Sequence, residues 1–146
     1  MRIRQAKLSD STEICKLINL LGFKATNKDI ISRMKSLENS NIDVIFVAEI
    51  NNKIAGFISF HAWPRFYDWG NHGRISAIAV LETFRRSGVG SALLKEIEKY
   101  GIDNKCARIE VTSYSNRVDT HQFYMKSGYK MVKSKRFIKA CLEDMD

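Results

Sequence analysis

The chain has 146 residues, 45% hydrophobic and 27% charged, with a formal net charge of +8, a balance that predicts one globular domain over residues 1–146 with a core of its own. No stretch approaches the ~18–20 apolar residues of a membrane span, and Met1-Arg2-Ile3-Arg4-Gln5-Ala6 lacks the apolar core of a signal peptide. Cys15, Cys106 and Cys141 are far apart and odd in number, so they fit neither a disulfide framework nor a metal knuckle; a cytoplasmic protein with free thiols and no metal is expected.

Arg2 to Ala6 alternates like a short strand. Asp10 is placed to cap a helix, with Glu13 closing a capping-box-like arrangement. Ile14, Leu17, Ile18 and Leu21 then recur at helical spacing, and Gly22 ends the helix. Ile30, Ile31, Met34 and Leu37 predict a second, shorter helix after Asn27. Val44 to Ile50 is a nearly continuous apolar, β-branched run, Asn51-Asn52 a turn, and Ile54 to Trp63 a second strand of a hairpin. Pro64 to Gly73 reads as a loop and Arg74 to Val80 as a strand. Val89, Leu93, Ile97 and Tyr100 set out a helix from about Ser87 to Asp103, followed by a strand from Ala107 to Thr112. Val118 to Ser127 is helical and stopped by Gly128, and Tyr129 to Val132 and Arg136 to Leu142 read as final strands. The acidic tail Glu143-Asp144-Met145-Asp146 is expected to fray.

The order is therefore β-α-α-β-β-β-α-β-α-β-β, an α/β (α+β) chain. Hairpin strands feeding a strand-helix-strand unit predict a mixed sheet, with the strands around the Ser87–Asp103 helix parallel.

The stretch Arg85-Arg86-Ser87-Gly88-Val89-Gly90 joins a strand to that helix. A helix N-terminus leaves backbone N–H groups without intrahelical partners and carries partial positive charge. Two glycines allow close approach to the backbone, and two arginines add charge beside it, which suits a pyrophosphate. The alternative is a solvated basic connector. No Gly-Lys-Ser/Thr follows, so this is not a Walker loop, and the third glycine and acidic partner of the dinucleotide fingerprint are missing. Another phosphate-bearing cofactor remains.

Arg85-x-x-Gly88-x-Gly90, preceded by Ile78-Ala79-Val80 and followed by Ser91-Ala92-Leu93-Leu94, resembles the acetyl-CoA signature of the GNAT superfamily of N-acetyltransferases. Asn116-Arg117 … Phe123-Tyr124-Met125-Lys126-Ser127-Gly128-Tyr129 is similar to that family's Asn … Phe-Tyr-x-x-x-Gly-Phe/Tyr block, and Arg136-Phe137-Ile138-Lys139 resembles the last strand of many small bacterial members. The resemblance implies a mixed, mostly antiparallel sheet of six to seven strands flanked by about four helices. It also implies acetyl transfer from acetyl-CoA, a cosubstrate, to a primary amine by direct transfer. Ile78, Ala79 and Val80 would pair their backbone with the pantetheine arm. The N–H groups of Arg86, Ser87, Gly88, Val89, Gly90 and Ser91, with Arg85 beside them, would hold the pyrophosphate. Asn116 would cap the next helix or hydrogen-bond the cofactor, and Arg117 reach a phosphate or solvent. Tyr124 would act as general acid to the CoA thiolate, with His121 three residues before it on the same helix face.

Family members often place a glutamate on the strand before the cofactor turn, and Arg74 to Val80 holds none. The base candidates are Glu49, His61, His72, Glu110 or a water relay. The aromatic loop Trp63 to Gly73, with Phe66, Tyr67 and Trp69, suits an acceptor or a homodimer contact. The excess positive charge favours an anionic partner and disfavours a polycationic acceptor. A small-molecule amine is expected in preference to a protein or a charged tRNA. Two other classes compete. One is a CoA-binding sensor or structural module without turnover. The other is a nucleic-acid-associated protein, suggested by charge alone, with no helix-turn-helix or RNA-binding signature behind it.

Overall fold

The computed structural model describes residues 1–113 and 115–142. The acidic tail Glu143 to Asp146 lies outside the described residues. The chain divides into two units, Met1–Thr112 and Ser113–Asp146.

The first unit opens with β1 (Arg2–Gln5) and a 3-10 turn (Leu8–Asp10) that runs into α1 (Ser11–Leu20). Asp10 does not close a capping box with Glu13. It is buried, and its carboxylate accepts hydrogen bonds from the Lys7 N–H at 2.8 Å and from Arg4 Nη1 and Nη2 at 2.8 and 2.9 Å. Glu13 pairs instead with Lys16 at 3.0 Å. A guanidinium in reach outcompetes a helix-end N–H for the carboxylate. The capping box belongs to α2 (Asn27–Leu37): Thr26 Oγ1 accepts from the Asp29 N–H at 3.1 Å, and Asp29 Oδ2 accepts from the Thr26 N–H at 3.0 Å.

β2 (Val44–Ile50) and β3 (Lys53–Pro64) form the hairpin, with Asn51 and Asn52 both at positive φ, 50° and 63°. Two such residues give the turn a twist that matches the strands. β4 (Asn71–Val80) starts three residues earlier than the sequence pattern indicates, because Asn71 is anchored by its N–H to Lys105 O and by Nδ2 to Asn104 O, each at 2.8 Å. α3 (Val89–Asp103) and β5 (Cys106–Val111) complete the unit.

The five strands lie in the order β1-β2-β3-β4-β5. All neighbours are antiparallel except β4 and β5, which are parallel, as a strand-helix-strand unit requires. Adjacent residues of β2 show how the two faces are used. Val47 joins Ile14, Leu17, Ile30, Met34 and Phe57 in the core beneath α1 and α2. Phe46 meets the Tyr100 ring of α3 edge-on, as does Phe60.

The second unit contains α4 (Val118–Lys126), ended by Gly128 at φ 92°. The expected strands Tyr129–Val132 and Arg136–Leu142 are not formed among the described residues, so the sheet has five strands rather than six to seven. An alternating pattern makes a strand only where a ladder and a buried face accept it. Here Met131, Val132, Phe137 and Ile138 are 70 to 92% exposed, and Lys130, Lys133, Lys135, Arg136 and Lys139 interrupt them.

Candidate functional site

β4 pairs with β3 along its whole length, from Pro64↔Asn71 to Gly56↔Val80. Its pairing with β5 stops at Ile75↔Val111. Among the described residues, Ser76 to Val80 therefore have no ladder on the β5 side. A bulge marks the same point: Ser59 opposes Ala77 while Phe60 opposes Ile75, leaving Ser76 as the extra residue, and a bulge bends and twists its strand locally. The Ser59 and Ser76 hydroxyls meet at 2.5 Å. The open segment contains Ile78, Ala79 and Val80.

Beyond Val80 the chain is tied back by Leu81 N–H to Ala55 O at 2.8 Å and makes a 3-10 turn over Glu82–Phe84. Arg86 sits at φ 63° and Gly88 at φ 81°, and the Ser87 hydroxyl donates to the Phe84 carbonyl. Gly88 is the N-cap of α3 and supplies no side chain to it. The first intrahelical bond is Ala92 N–H to Gly88 O at 3.0 Å, so the N–H groups of Val89, Gly90 and Ser91 lie ahead of the ladder. Arg85 and Arg86 are exposed beside them, and Arg85 Nε reaches the Val80 carbonyl at 3.5 Å. Ile78, Ala79, Val80, Arg85, Arg86, Ser87, Gly88, Val89, Gly90 and Ser91 thus form one continuous feature of the first unit, a strand edge without a second ladder among the described residues running into a basic helix N-terminus. Val89 is 1% exposed, so its side chain belongs to the core and only its N–H faces the turn.

A polar shelf adjoins the point where β4 and β5 part. His61 Nδ1 lies 3.2 Å from Asp43 Oδ1. The Trp63 ring sits between the His61 ring at 5.0 Å and the His72 ring at 4.8 Å. His72 Nε2 lies 3.1 Å from Glu110 Oε2, Arg74 Nη1 donates to Glu110 Oε1 at 2.7 Å, and Arg74 Nη2 donates to Thr112 Oγ1 at 3.1 Å. Burial favours the neutral Glu110 carboxyl, but its bonds from Arg74 and His72 prevail and hold it below the usual carboxylate range. Three of the four base candidates are gathered here. Glu49 is not: it lies on β2 and accepts from Arg4 Nε at 2.8 Å. Sequence reasoning missed Asp43, Arg74, Ser59 and Ser76, because the register that joins them is not written in any local pattern.

Phe66, Tyr67 and Trp69 stand on the loop between β3 and β4 at 73% exposure or more. The cysteines are free, and burial pushes the Cys106 thiol above its ordinary value, which suits an inert thiol more than a nucleophile.

In the second unit, Tyr124 is buried. Burial pushes its phenol above the ordinary value, with the Arg117 charge acting the other way. Its ring meets those of Phe123 at 5.4 Å and Tyr129 at 5.8 Å. Asn116 is exposed and is not the helix cap. Arg117 holds that position, without a side-chain cap bond.

Residues 15–129 match the model of the acetyltransferase (GNAT) family. The chain belongs to this family. It is 31% identical to an N-alpha-acetyltransferase of Sulfurisphaera tokodaii, across 98% of this chain and 88% of that one. It is 31% identical to an aminoalkylphosphonate N-acetyltransferase of Salmonella typhimurium across 55% of this chain and 52% of that one. Its fold is that of the glucosamine-6-phosphate N-acetyltransferase of Arabidopsis thaliana, with a TM-score of 0.83, 22% identity and coverage of 96% and 97%. The aminoglycoside 6'-N-acetyltransferase of Acinetobacter haemolyticus shares it too, with a TM-score of 0.82, 16% identity and coverage of 98% and 100%. The protein is thus an acyltransferase enzyme with the GNAT fold. GNAT enzymes use acetyl-CoA as cosubstrate, and an open turn fits that molecule: a Cβ built on Gly88 meets nothing within 4 Å. Among the described residues no cluster of His, Cys, Asp or Glu could hold a metal ion, and no helix is long and apolar enough to cross a membrane.

Proposed function

We propose that this acetyltransferase moves an acetyl group from acetyl-CoA to a primary amine by direct transfer, and that 1–146 acts as one catalytic domain. The family match runs across the boundary between the two units, which supports the single domain. The observation that carries the transfer reading is the ladder ending at Ile75↔Val111, just ahead of a bare helix N-terminus. Pantetheine carries two amides and can dock on a strand edge as a further strand would. Ile78, Ala79 and Val80 offer that edge, so their backbone matters more than their side chains. The N–H groups from Arg86 to Ser91 and the Arg85 and Arg86 guanidiniums would hold the pyrophosphate. From phosphate oxygen to sulfur, pantetheine spans the length of about four extended residues, roughly 13 Å. An arm lying from Val80 back toward Ser76 therefore brings the thioester to the point where the strands part.

Tyr124 is assigned as the general acid that protonates the departing thiolate. A phenol is protonated at neutral pH, as a general acid must be, and burial pushes that of Tyr124 further up. Asn116 is assigned a hydrogen bond to the cofactor, in keeping with its exposure and its release from capping.

The acceptor is assigned as a small-molecule amine. A second reading, transfer to the α-amino group of a polypeptide, is supported by the likeness to the Sulfurisphaera tokodaii N-alpha-acetyltransferase over nearly the whole chain. The test follows release of CoA thiol from acetyl-CoA across a panel of alkylamines, amino sugars and peptides with free N-termini, with the product weighed by mass spectrometry. A mass gain of one acetyl group on an amine supports the reading. Binding of acetyl-CoA without turnover on any amine overturns it.

A further inference from the structure

The loop joining β3 to β4 leaves Phe66, Tyr67 and Trp69 uncovered. Single exposed apolar side chains are ordinary on a protein surface, whereas a contiguous group of large ones marks a place of contact. Ile102, at the end of α3, is exposed as well. Its carbonyl accepts the Lys105 N–H at 3.0 Å, so it belongs to the connection against which the loop rests.

The loop is a built frame. Arg65 N–H donates to the Gly70 carbonyl at 3.1 Å and closes it, and Trp69 N–H donates to Asp68 Oδ1 at 2.8 Å. At the base Gly70 sits at φ 77°, where a Cβ would stand 2.9 Å from the Lys105 carbonyl oxygen. Arg65 crosses the frame, with Nη2 3.1 Å from Asp68 Oδ2 and its guanidinium carbon 5.6 Å from the centre of the Tyr67 ring. These polar groups bond to one another while the rings stand in solvent. Rings held in this way lose little freedom when something covers them.

Charge decides what that is. Arg65 and Asp68 are the only charged residues from 65 to 70, and they pair, so the tip is neutral and apolar. The chain behind it carries +8. Near the base, Lys105 and Arg108 are exposed cations, the second opposite His72 on β5, against one exposed acid, Asp103. A second copy brings the same positive charge, which opposes its approach. Three aromatic rings also cover only about 450–750 Å², short of the ~800 Å² per partner of a stable interface. A nucleic-acid strand stacking on the rings needs cations among them for its phosphates, and the arginine of the loop is already neutralised by Asp68. A bilayer surface needs neither a large area nor a cation at the tip. Aromatic side chains settle at the headgroup level as a small wedge, and anionic headgroups attract the basic body behind them.

We propose that the loop from Arg65 to Trp69 docks on an anionic phospholipid surface, with Phe66, Tyr67 and Trp69 entering the headgroup layer and Lys105 and Arg108 meeting its phosphates. The docking face is independent of the transfer reading. β4 runs from this loop to Val80 over 10 residues, about 30 Å, so a docked protein keeps the Arg85–Ser91 turn in solvent.

The test sediments the full chain with vesicles of phosphatidylcholine and phosphatidylserine at a ratio of about 2:1, and with vesicles of phosphatidylcholine alone. The unaltered protein is expected to bind the first and, at most weakly, the second, with a blue shift of tryptophan emission on binding. The double substitution Phe66→Ser and Trp69→Ser should weaken binding by about tenfold or more and leave the thermal midpoint in place, because both side chains are exposed. Lys105→Gln and Arg108→Gln should each weaken binding to the anionic vesicles by about fivefold. If the double variant fails to fold, Phe66→Ser alone carries the comparison. Failure of the unaltered protein to bind the anionic vesicles overturns the proposal, as does binding that survives loss of the rings. A dimer in solution that the same substitutions dissociate gives the face to a second copy, and a single-stranded RNA oligomer that they release gives it to nucleic acid. Either result overturns lipid docking.

Discussion

Gly56 of β3 lies so close to Ala79 of β4 that a Cβ on Gly56 would stand 2.8 Å from the Ala79 carbonyl oxygen and 3.2 Å from Val89 Cγ1. This contact sets the depth at which β4 rests against β3 and aligns the strand edge with the first turn of α3. The obstacle is backbone, not the end of a flexible side chain, so relief has to come from the strands. Gly56→Ala is expected to cost about 1–3 kcal/mol, lowering the thermal midpoint by about 2–4 °C per kcal/mol. Because β4 moves, acetyl-CoA affinity measured by calorimetry should fall as well. An unchanged affinity in a destabilised variant would separate the strand edge from cofactor binding.

Gly88 presents a different case. Its φ of 81° disfavours ordinary side chains, but a Cβ there meets nothing within 4 Å. Asn tolerates the left-handed region at small cost. Gly88→Asn should therefore stay folded within about 1 kcal/mol while its side chain projects over the exposed N–H groups. The Kd for acetyl-CoA is expected to rise at least tenfold. Wild-type affinity in that folded variant would remove the pyrophosphate assignment.

Local pattern was enough to place β2 to the residue, the hairpin turn at Asn51 and Asn52, and the turn at Arg85 to Gly90 that leads into α3. Each is encoded by neighbours in sequence. What sequence did not disclose depends on register. The bulge at Ser59, the end of the β4–β5 ladder and the meeting of Glu110 with Arg74 arise only when strands are paired. Asp10 was misread as a cap partner of Glu13 for a related reason: Arg4, whose guanidinium takes the carboxylate, belongs to another element. The last two strands were misread because alternation at Met131 to Leu142 carries no statement about a partner.

The Arg4–Asp10 pair yields a pH prediction. Arg4 bonds to Asp10 at 2.8 Å, with the two side chains 16% and 9% exposed. These bonds, against the opposing effect of burial, hold the Asp10 carboxyl below its ordinary value. A group whose folded pKa is depressed stabilises above its unfolded pKa, about 4, and that stability is lost as pH falls through the folded value. Asp10→Asn should lower stability at pH 7 by about 3 kcal/mol. The gap between variant and unaltered protein should narrow below about pH 4. Urea midpoints at pH 7, 4 and 3 measure this, and a gap that stays constant with pH would refute the linkage.

Tyr124→Phe tests the general acid. The substitution removes one hydroxyl from a side chain already 8% exposed and keeps the ring that meets Phe123 and Tyr129. Packing is therefore retained, and acetyl-CoA affinity should stay near its original value. Without the phenol the thiolate leaves unprotonated, and kcat should fall by about 100-fold or more. The loss should be smaller for a thioester whose thiol is more acidic, because that leaving group needs less help. The pH profile adds a second check: with the phenol above its ordinary value, deprotonation of Tyr124 should cause no fall in kcat below about pH 10. Full turnover in the folded variant would take the role away from Tyr124.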